Sequence, residues 1–401
     1  MKNVVLIVDP FSTGSAYANE FRKRGYEPIC LISSKNLPER MKGQIDKNNY
    51  LAVFEDETEC LEFIKNHNLK AVVSGSEVGV KTAERIGNKL GVLANDISIP
   101  DLRRNKFKMH EKLKEQGLNH IPSYLLSVNN IPFIPESKTG YVLKPTKSAA
   151  SDGVIFIQNK EELMEKIHSL NFESKNLYGD KNNEYIAEPF IEGTEYVVDL
   201  VAFEDGSIKV ASVCEYEKCE ANNSKFVYKS LKVLNPKDYN TLIEYTINAS
   251  RALGFKVGAI HMEIKNKEDP VMIEVGARMH GGVAPSLFEY CYKPPLLEAS
   301  VDSYLGAKGR DAELIENGRI EFAINTKEGT ALKLNQNKIN DLQNTEGYKG
   351  HKIFFKEGDI LPKTVDLATT PAISFLSHKN ERQLNQSSMK ARVSLELGIG
   401  I

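Results

Sequence analysis

The chain has 401 residues, of which 41% are apolar and 26% charged, with a formal net charge of −2. That length exceeds one hydrophobic core and predicts two or three packed domains. The near-neutral charge excludes a global basic field for nucleic acid or an anionic membrane, so charged ligands must be met by local groups. Five cysteines (Cys30, Cys60, Cys214, Cys219 and Cys291) form no CxxC pair. This argues against a disulfide framework or a zinc knuckle and for reduced core or surface thiols.

The N-terminal apolar run Val4–Val8 is too short for a signal-peptide core or a membrane span, and no run in the chain approaches a spanning length. The cytoplasm is the expected location. Strand and helix signals then alternate: Val4–Val8 as a buried strand, a small-residue loop at Ser12–Ser15, a helix over Tyr17–Lys23 stopping at Gly25, and strands at Pro28–Ser33, Ala52–Phe54 and Ala71–Val73. This pattern predicts a parallel sheet flanked by helices, with ligands met at the strands' carboxyl ends. Those ends carry Asp9-Pro10-Phe11-Ser12 and Ser74-Gly75-Ser76-Glu77, and the first is no GxGxxG fingerprint, so no dinucleotide is expected.

Pro100 opens a boundary, and Leu102, Met109 and Leu113 mark a helical stripe ending near Gly117. Strands are expected at Tyr141–Lys144, Val154–Ile157, Tyr185–Ile191, Tyr196–Phe203 and Ile208–Val213, with Asp205-Gly206 turning between the last two. A helix follows over Leu242–Leu253. From about residue 305 the pattern is mixed, no chemistry is concentrated there, and the order of the final residues is open.

Three segments carry chemistry. In the first, Ile260–Ile264 and Val271–Val275 read as a hairpin around the polar turn Lys265–Pro270. Folded symmetrically, it sets Glu263 opposite Met272 and His261 opposite Glu274. Glu263 and Glu274 then become diagonal neighbours on one face, with Cβ atoms roughly 7 Å apart; a one-residue bulge would change that parity. Two such carboxylates suit a divalent cation, Mg²⁺ or Mn²⁺, shared with substrate phosphates. Arg278 is placed to hold a phosphoryl oxygen or a developing negative charge. His261 reads as a structural histidine beside the pair, and His280 as a residue lining the substrate pocket. In the second segment, strand Tyr141–Lys144 ends in a lysine before the small-residue loop Thr146–Gly153. Ser151 and Gly153 there let backbone amides approach phosphate, and Lys144 adds a point charge. In the third, Glu184–Glu195 alternates apolar residues with carboxylates, an extended backbone able to meet an adenine edge and a ribose.

In this order the segments resemble the ATP-grasp superfamily over roughly residues 100–300. The resemblance implies an N-terminal Rossmann-like α/β domain (1–100), an ATP-grasp core of two α+β subdomains clasping ATP (101–305, with a mobile lid at about 141–190) and a C-terminal α+β portion (306–401). It implies ATP binding by Lys106, Lys144, Ser151, Gly153, the hinge Glu188-Pro189-Phe190-Ile191 and the ribose-binding Glu195. Glu263 and Glu274 become metal ligands, and Arg278 and His280 catalytic residues. Where many members have Glu-x-Asn-x-Arg, this chain has Glu274-Val275-Gly276-Ala277-Arg278, so an Asn ligand is missing. The Gly form resembles the L-amino-acid ligase branch, as do Val8–Gly14 and Ser74–Val80. The implied reaction joins two amino acids through an acyl phosphate in a cytoplasmic homodimer that uses neither nucleic acid nor membrane. A ligase for another carboxylate would share the same ATP site, and a nucleotide-binding protein without catalysis would not need the intact set Lys144, Glu263, Glu274 and Arg278.

Overall fold

The computed structural model describes all residues of 1–401 except Pro100 and Ala150, and the side chains of Glu39 and Arg40 are also left out. The boundary expected at Pro100 and the Ala150 position of the small-residue loop therefore lie outside the described residues. The chain opens with four parallel strands in the spatial order Ala52–Phe54, Glu27–Leu31, Asn3–Val8, Asn68–Ser74. The central strand is buried on both sides, as its unbroken Val/Ile/Leu run requires. Val4, Leu6 and Val8 pack towards helix Val80–Leu90, whereas Val5 and Ile7 pack towards helix Ala16–Lys23. The helix Val80–Leu90 ends where Gly91 takes a left-handed conformation (φ 69°).

A second, antiparallel sheet has the order Tyr124–Leu126, Tyr185–Pro189, Tyr141–Pro145, Ile155–Ile157. Helix Lys160–His168 covers it through Leu163 and Ile167. The third sheet has eight strands and includes Gly258–Asn266, Thr194–Ala202 and Ile208–Ala221 side by side. One face of it (Met262, Ile264, Met272, Val198 and Val213) is apolar and packs with helix Asn240–Ala252. The other face carries Glu263, Lys265, Glu195 and Tyr216 in register and looks into a cavity. Strands Asn317–Phe322, Ala372–His378 and Tyr348–Ile353 extend this same sheet, so the C-terminal portion continues it.

One element differs from the sequence expectation, and another fills a stretch whose order the sequence left open. The strand expected to end at Val213 runs on to Ala221 and pairs with Ser224–Leu234 through a two-residue turn at Asn222 and Asn223, with φ of 52° and 62°. Paired asparagines tolerate the left-handed region such a turn demands. The inward Lys218 interrupts the apolar alternation that would otherwise mark the strand. The C-terminal tail is a helix, Glu381–Ile399, whose Asn380 side chain accepts from the Gln383 amide. Among the described residues, no helix is long and apolar enough to cross a membrane.

The N-terminal unit is fixed to the rest by Arg103, which is buried. Its Nε lies 2.6 Å from Glu84 Oε1, and its Nη1 donates to the Leu253 carbonyl at 2.7 Å. At the carboxyl ends of the parallel strands, the loops around Gly14 and Gly75 pack backbone against backbone: a Cβ on Gly14 would lie 1.8 Å from the Gly75 carbonyl oxygen. Ser12, Thr13, Ser76 and Glu77 on these loops wall the cavity. Gly14→Ala is expected to force the loops apart and destabilise the protein by about 1–3 kcal/mol, read as a lowered urea midpoint with an unchanged slope. An unaltered midpoint would mean the two loops have room to spare.

Candidate active site

The hairpin Gly258–Asn266 and Pro270–Gly276 departs from symmetric pairing. Its register shifts between Glu263 and Ile264, leaving Ile273 as the extra residue. Glu263 consequently stands directly opposite Glu274, and His261 opposite Gly276, rather than Glu263 opposite Met272 and His261 opposite Glu274. The two carboxylates share a face as a cross-strand pair, not as diagonal neighbours, and directly opposed positions have Cβ atoms about 5 Å apart.

Both glutamates line a cavity of about 410 Å³ together with Lys106, Lys144, Ser151, Glu188, Pro189, Phe190, Ile191, Glu195, Arg278 and His280. Gly153 instead turns beside Pro145 with φ 71°, where a Cβ would come within 3.0 Å of the proline ring. Lys106, at the start of helix Lys106–Glu115, lies 2.9 Å from Glu274 Oε2 and donates to the Ser148 carbonyl at 2.8 Å. Burial would raise the Glu274 carboxyl, but Lys106, Lys144 and Arg278 more than offset it and hold it at about 2. Lys144 pairs with Glu188 at 2.7 Å, and Ser123 donates to the other oxygen of that carboxylate at 2.6 Å. The hinge residue Phe190 spends its N–H on Gly140 and its carbonyl on Thr139. Glu195 is buried between Lys218 at 2.6 Å and Lys265 at 3.3 Å.

Arg278 Nε lies 3.0 Å from Glu77 Oε2, and Arg104 lies 2.6 Å from Glu77 Oε1. The loop after the last strand of the N-terminal sheet thus reaches the hairpin's end. Gly276 makes this approach possible, because a Cβ there would sit 2.9 Å from Glu77 Oε2. Behind the glutamates, Asp199 joins two histidines: Nδ1 of His261 donates to Oδ1 at 2.8 Å and Nδ1 of His280 donates to Oδ2 at 3.0 Å. Burial opposes charge on His261, yet its bonds to Asp199 and Glu263 raise it to about 9. Burial lowers His280.

Sequence reasoning missed Glu77, Asp199, Tyr216, Lys218, Tyr228 and Lys265 as site residues. Tyr216, Lys218 and Tyr228 sit on the hairpin whose second half was not anticipated, and the Asn222-Asn223 pair was the available signal. Residues after 305 were read as carrying no chemistry. Ile320, Phe322 and Ile373 nonetheless supply an apolar wall to the same cavity.

Buried His110, on the helix that presents Lys106, accepts from the Ile121 amide at 3.3 Å, and burial lowers its pKa from 6.5 to about 4. The unfolded chain therefore binds more protons between those values. The contribution of His110 is expected to be complete above about pH 6.5 and to be lost, by roughly 3 kcal/mol, as pH drops towards 4. In a His110→Gln protein, urea midpoints measured across this window should fall less steeply than in wild type; parallel curves would show that His110 is not responsible.

A sequence profile for the ATP-grasp domain matches residues 137–286. Dapdiamide A synthase of Enterobacter agglomerans is 25% identical over 98% of this chain and 95% of its own length. Alanine–anticapsin ligase of Bacillus subtilis (strain 168) is 23% identical over 53% of this chain and 48% of its own. The crystal structure of an L-amino acid ligase from Bacillus licheniformis superposes with a TM-score of 0.74 at 17% identity, covering 98% of both chains. Residues 137–286 thus match an ATP-grasp domain, and the chain shares its fold along almost its whole length with that L-amino acid ligase structure.

Proposed function

We propose that the protein is an ATP-dependent carboxylate–amine ligase that joins two amino acids through an acyl phosphate and releases ADP and phosphate. The observation that carries this reading is the opposed pair Glu263 and Glu274, set in one cavity with Lys106, Lys144 and Arg278. The names of two relatives, a dapdiamide synthase and an alanine–anticapsin ligase, support amino acids as the substrates.

The two glutamates fit a divalent cation. They are hard oxygen donors directly opposed on one sheet face, and Lys106 supplies positive charge at one of them. The Glu77 carboxylate, paired with Arg104 and Arg278, fills the space a residue-276 side chain would take. Mg²⁺ held by Glu263 and Glu274 would screen the triphosphate from the incoming carboxylate.

The chain's own residues do the rest. Lys106 and Lys144 draw phosphate oxygens to the loop that carries Ser148 and Ser151, and the hinge around Pro189–Ile191 meets the adenine edge. Glu195, held by Lys218 and Lys265, accepts from the ribose hydroxyls. A substrate carboxylate aligned with the γ-phosphate attacks it, and the acyl phosphate that results is then attacked by the amine. Arg278, braced by Glu77, stabilises the oxyanion formed in that second step. Residues 141–190 act as a lid that keeps water from the acyl phosphate. ATP and free amino acids are both supplied by a cytoplasmic setting.

ADP and phosphate release should depend on amino acids and be accompanied by a product with the mass of a dipeptide. ADP release without that mass would redirect the reading to another acid or amine. Glu274→Gln should melt like the wild type yet lose about 100-fold or more in kcat/KM, since a charged ligand to the cation is removed. Near-wild-type turnover in that variant would mean the site lies elsewhere.

A further inference from the structure

An ammonium group has no lone pair with which to attack an acyl phosphate, so a ligase must provide a route for its proton. The cavity holds one chain of groups arranged for this. Tyr216 lies on the cavity-facing row of the central sheet, between Glu195 and Leu231 in cross-strand register. Its hydroxyl oxygen is 3.0 Å from His280 Nε2, and His280 Nδ1 is 3.0 Å from Asp199 Oδ2. Asp199 is fully buried, accepts from Ser212 Oγ at 2.5 Å, and uses its other oxygen for His261 Nδ1 at 2.8 Å.

These contacts fix the protons. The ionised Asp199 can only accept, so both imidazoles carry hydrogen on Nδ1. Burial disfavours a second proton on His280, so in the neutral ring Nε2 is a lone pair and the Tyr216 hydroxyl donates to it. The free lone pairs of that hydroxyl are left for a donor in the cavity. Asp199, His261 and His280 are also close enough together to hold a metal ion, but each is already hydrogen-bonded within the trio and needs none. A buried carboxylate between two histidines is costly to fold around, and Arg278, His280 and Tyr216 line the same cavity.

We propose that Tyr216 is the catalytic residue that contacts the attacking amine, and that His280 and Asp199 form the relay behind it; this rests on the ligase reading. The ammonium gives a proton to the Tyr216 oxygen as the Tyr216 proton passes to His280 Nε2. The freed nitrogen lone pair bonds to the acyl carbon. The carbon–oxygen bond to phosphate then breaks, the electron pair leaves on phosphate, and phosphate takes the second amine proton. Burial disfavours the charged His280 ring, so its extra proton passes back through Tyr216 to water that enters the cavity as the product leaves, which resets the relay.

Hydroxylamine separates this role from a structural one, because it is already a free base at neutral pH and converts an acyl phosphate to a hydroxamate without a relay. With Mg²⁺-ATP and the substrate amino acids, Tyr216→Phe is expected to lose about 100-fold or more in peptide formation while forming hydroxamate near the wild-type rate. His280→Gln can accept the tyrosine hydrogen bond but cannot take up a proton, so it should show the same split. Equal loss of both products in both variants, or unimpaired peptide formation in either, overturns the relay. Wild-type protein that forms neither ADP nor hydroxamate with any amino acid would instead remove the ligase reading, and the relay with it.

Discussion

Two carboxylates facing each other across a hairpin repel. Unit charges about 5 Å apart do so by roughly 3 kcal/mol at an effective dielectric of about 20. Glu263 and Glu274 face each other because the hairpin bulges at Ile273, which sets them directly opposite rather than diagonal on their shared face. Much of the surrounding architecture can be understood as supplying positive charge to that face. Lys106 comes from a helix start, Lys144 from the end of a strand in the smaller sheet, and Arg278 from the loop leaving the hairpin itself. Three separate elements converge there, so the site exists only when the sheets of the core are packed together.

The N-terminal sheet takes part through its loops. Glu77 divides its carboxylate between Arg104 and Arg278, and burial would raise its pKa but the two guanidinium groups lower it. This bridge needs Gly276, since any larger residue would meet the Glu77 carboxylate. The departure from the more common Asn is therefore coupled to a residue about 200 positions away in the chain. The glycine contacts between Gly14 and Gly75 set where these loops stand, so a packing constraint in the first domain fixes the orientation of an arginine in the second.

Much of this was legible in the residues. The parallel sheet followed from unbroken apolar runs, and the carboxylate hairpin from two strand signals around a polar turn. Its shared face was correct although the pairing was not, because a bulge leaves no mark in period-two alternation. The hairpin Ile208–Leu234 was half read: its inward face carries Tyr216, Lys218 and Tyr228 in place of aliphatic residues, as a ligand-facing strand should. Glu77, Asp199 and Lys265 were missed for a different reason. Each acquires its role only from a partner distant in sequence, and a lone charged residue beside a strand looks solvated until that partner is known. The apolar wall of Ile320, Phe322 and Ile373 was hidden in the same way, since it joins the cavity through strands of a sheet that begins more than 100 residues earlier.

The central claim is that Glu263 and Glu274 hold the cation that meets the nucleotide. Crystals grown with Mn²⁺ and a non-hydrolysable ATP analogue, with anomalous data collected at the manganese edge, test it directly. The account predicts anomalous density between Glu263 and Glu274 and against the analogue's phosphates. Density at Asp199, His261 and His280 instead, with the two glutamates unliganded and the nucleotide bound elsewhere, would contradict it.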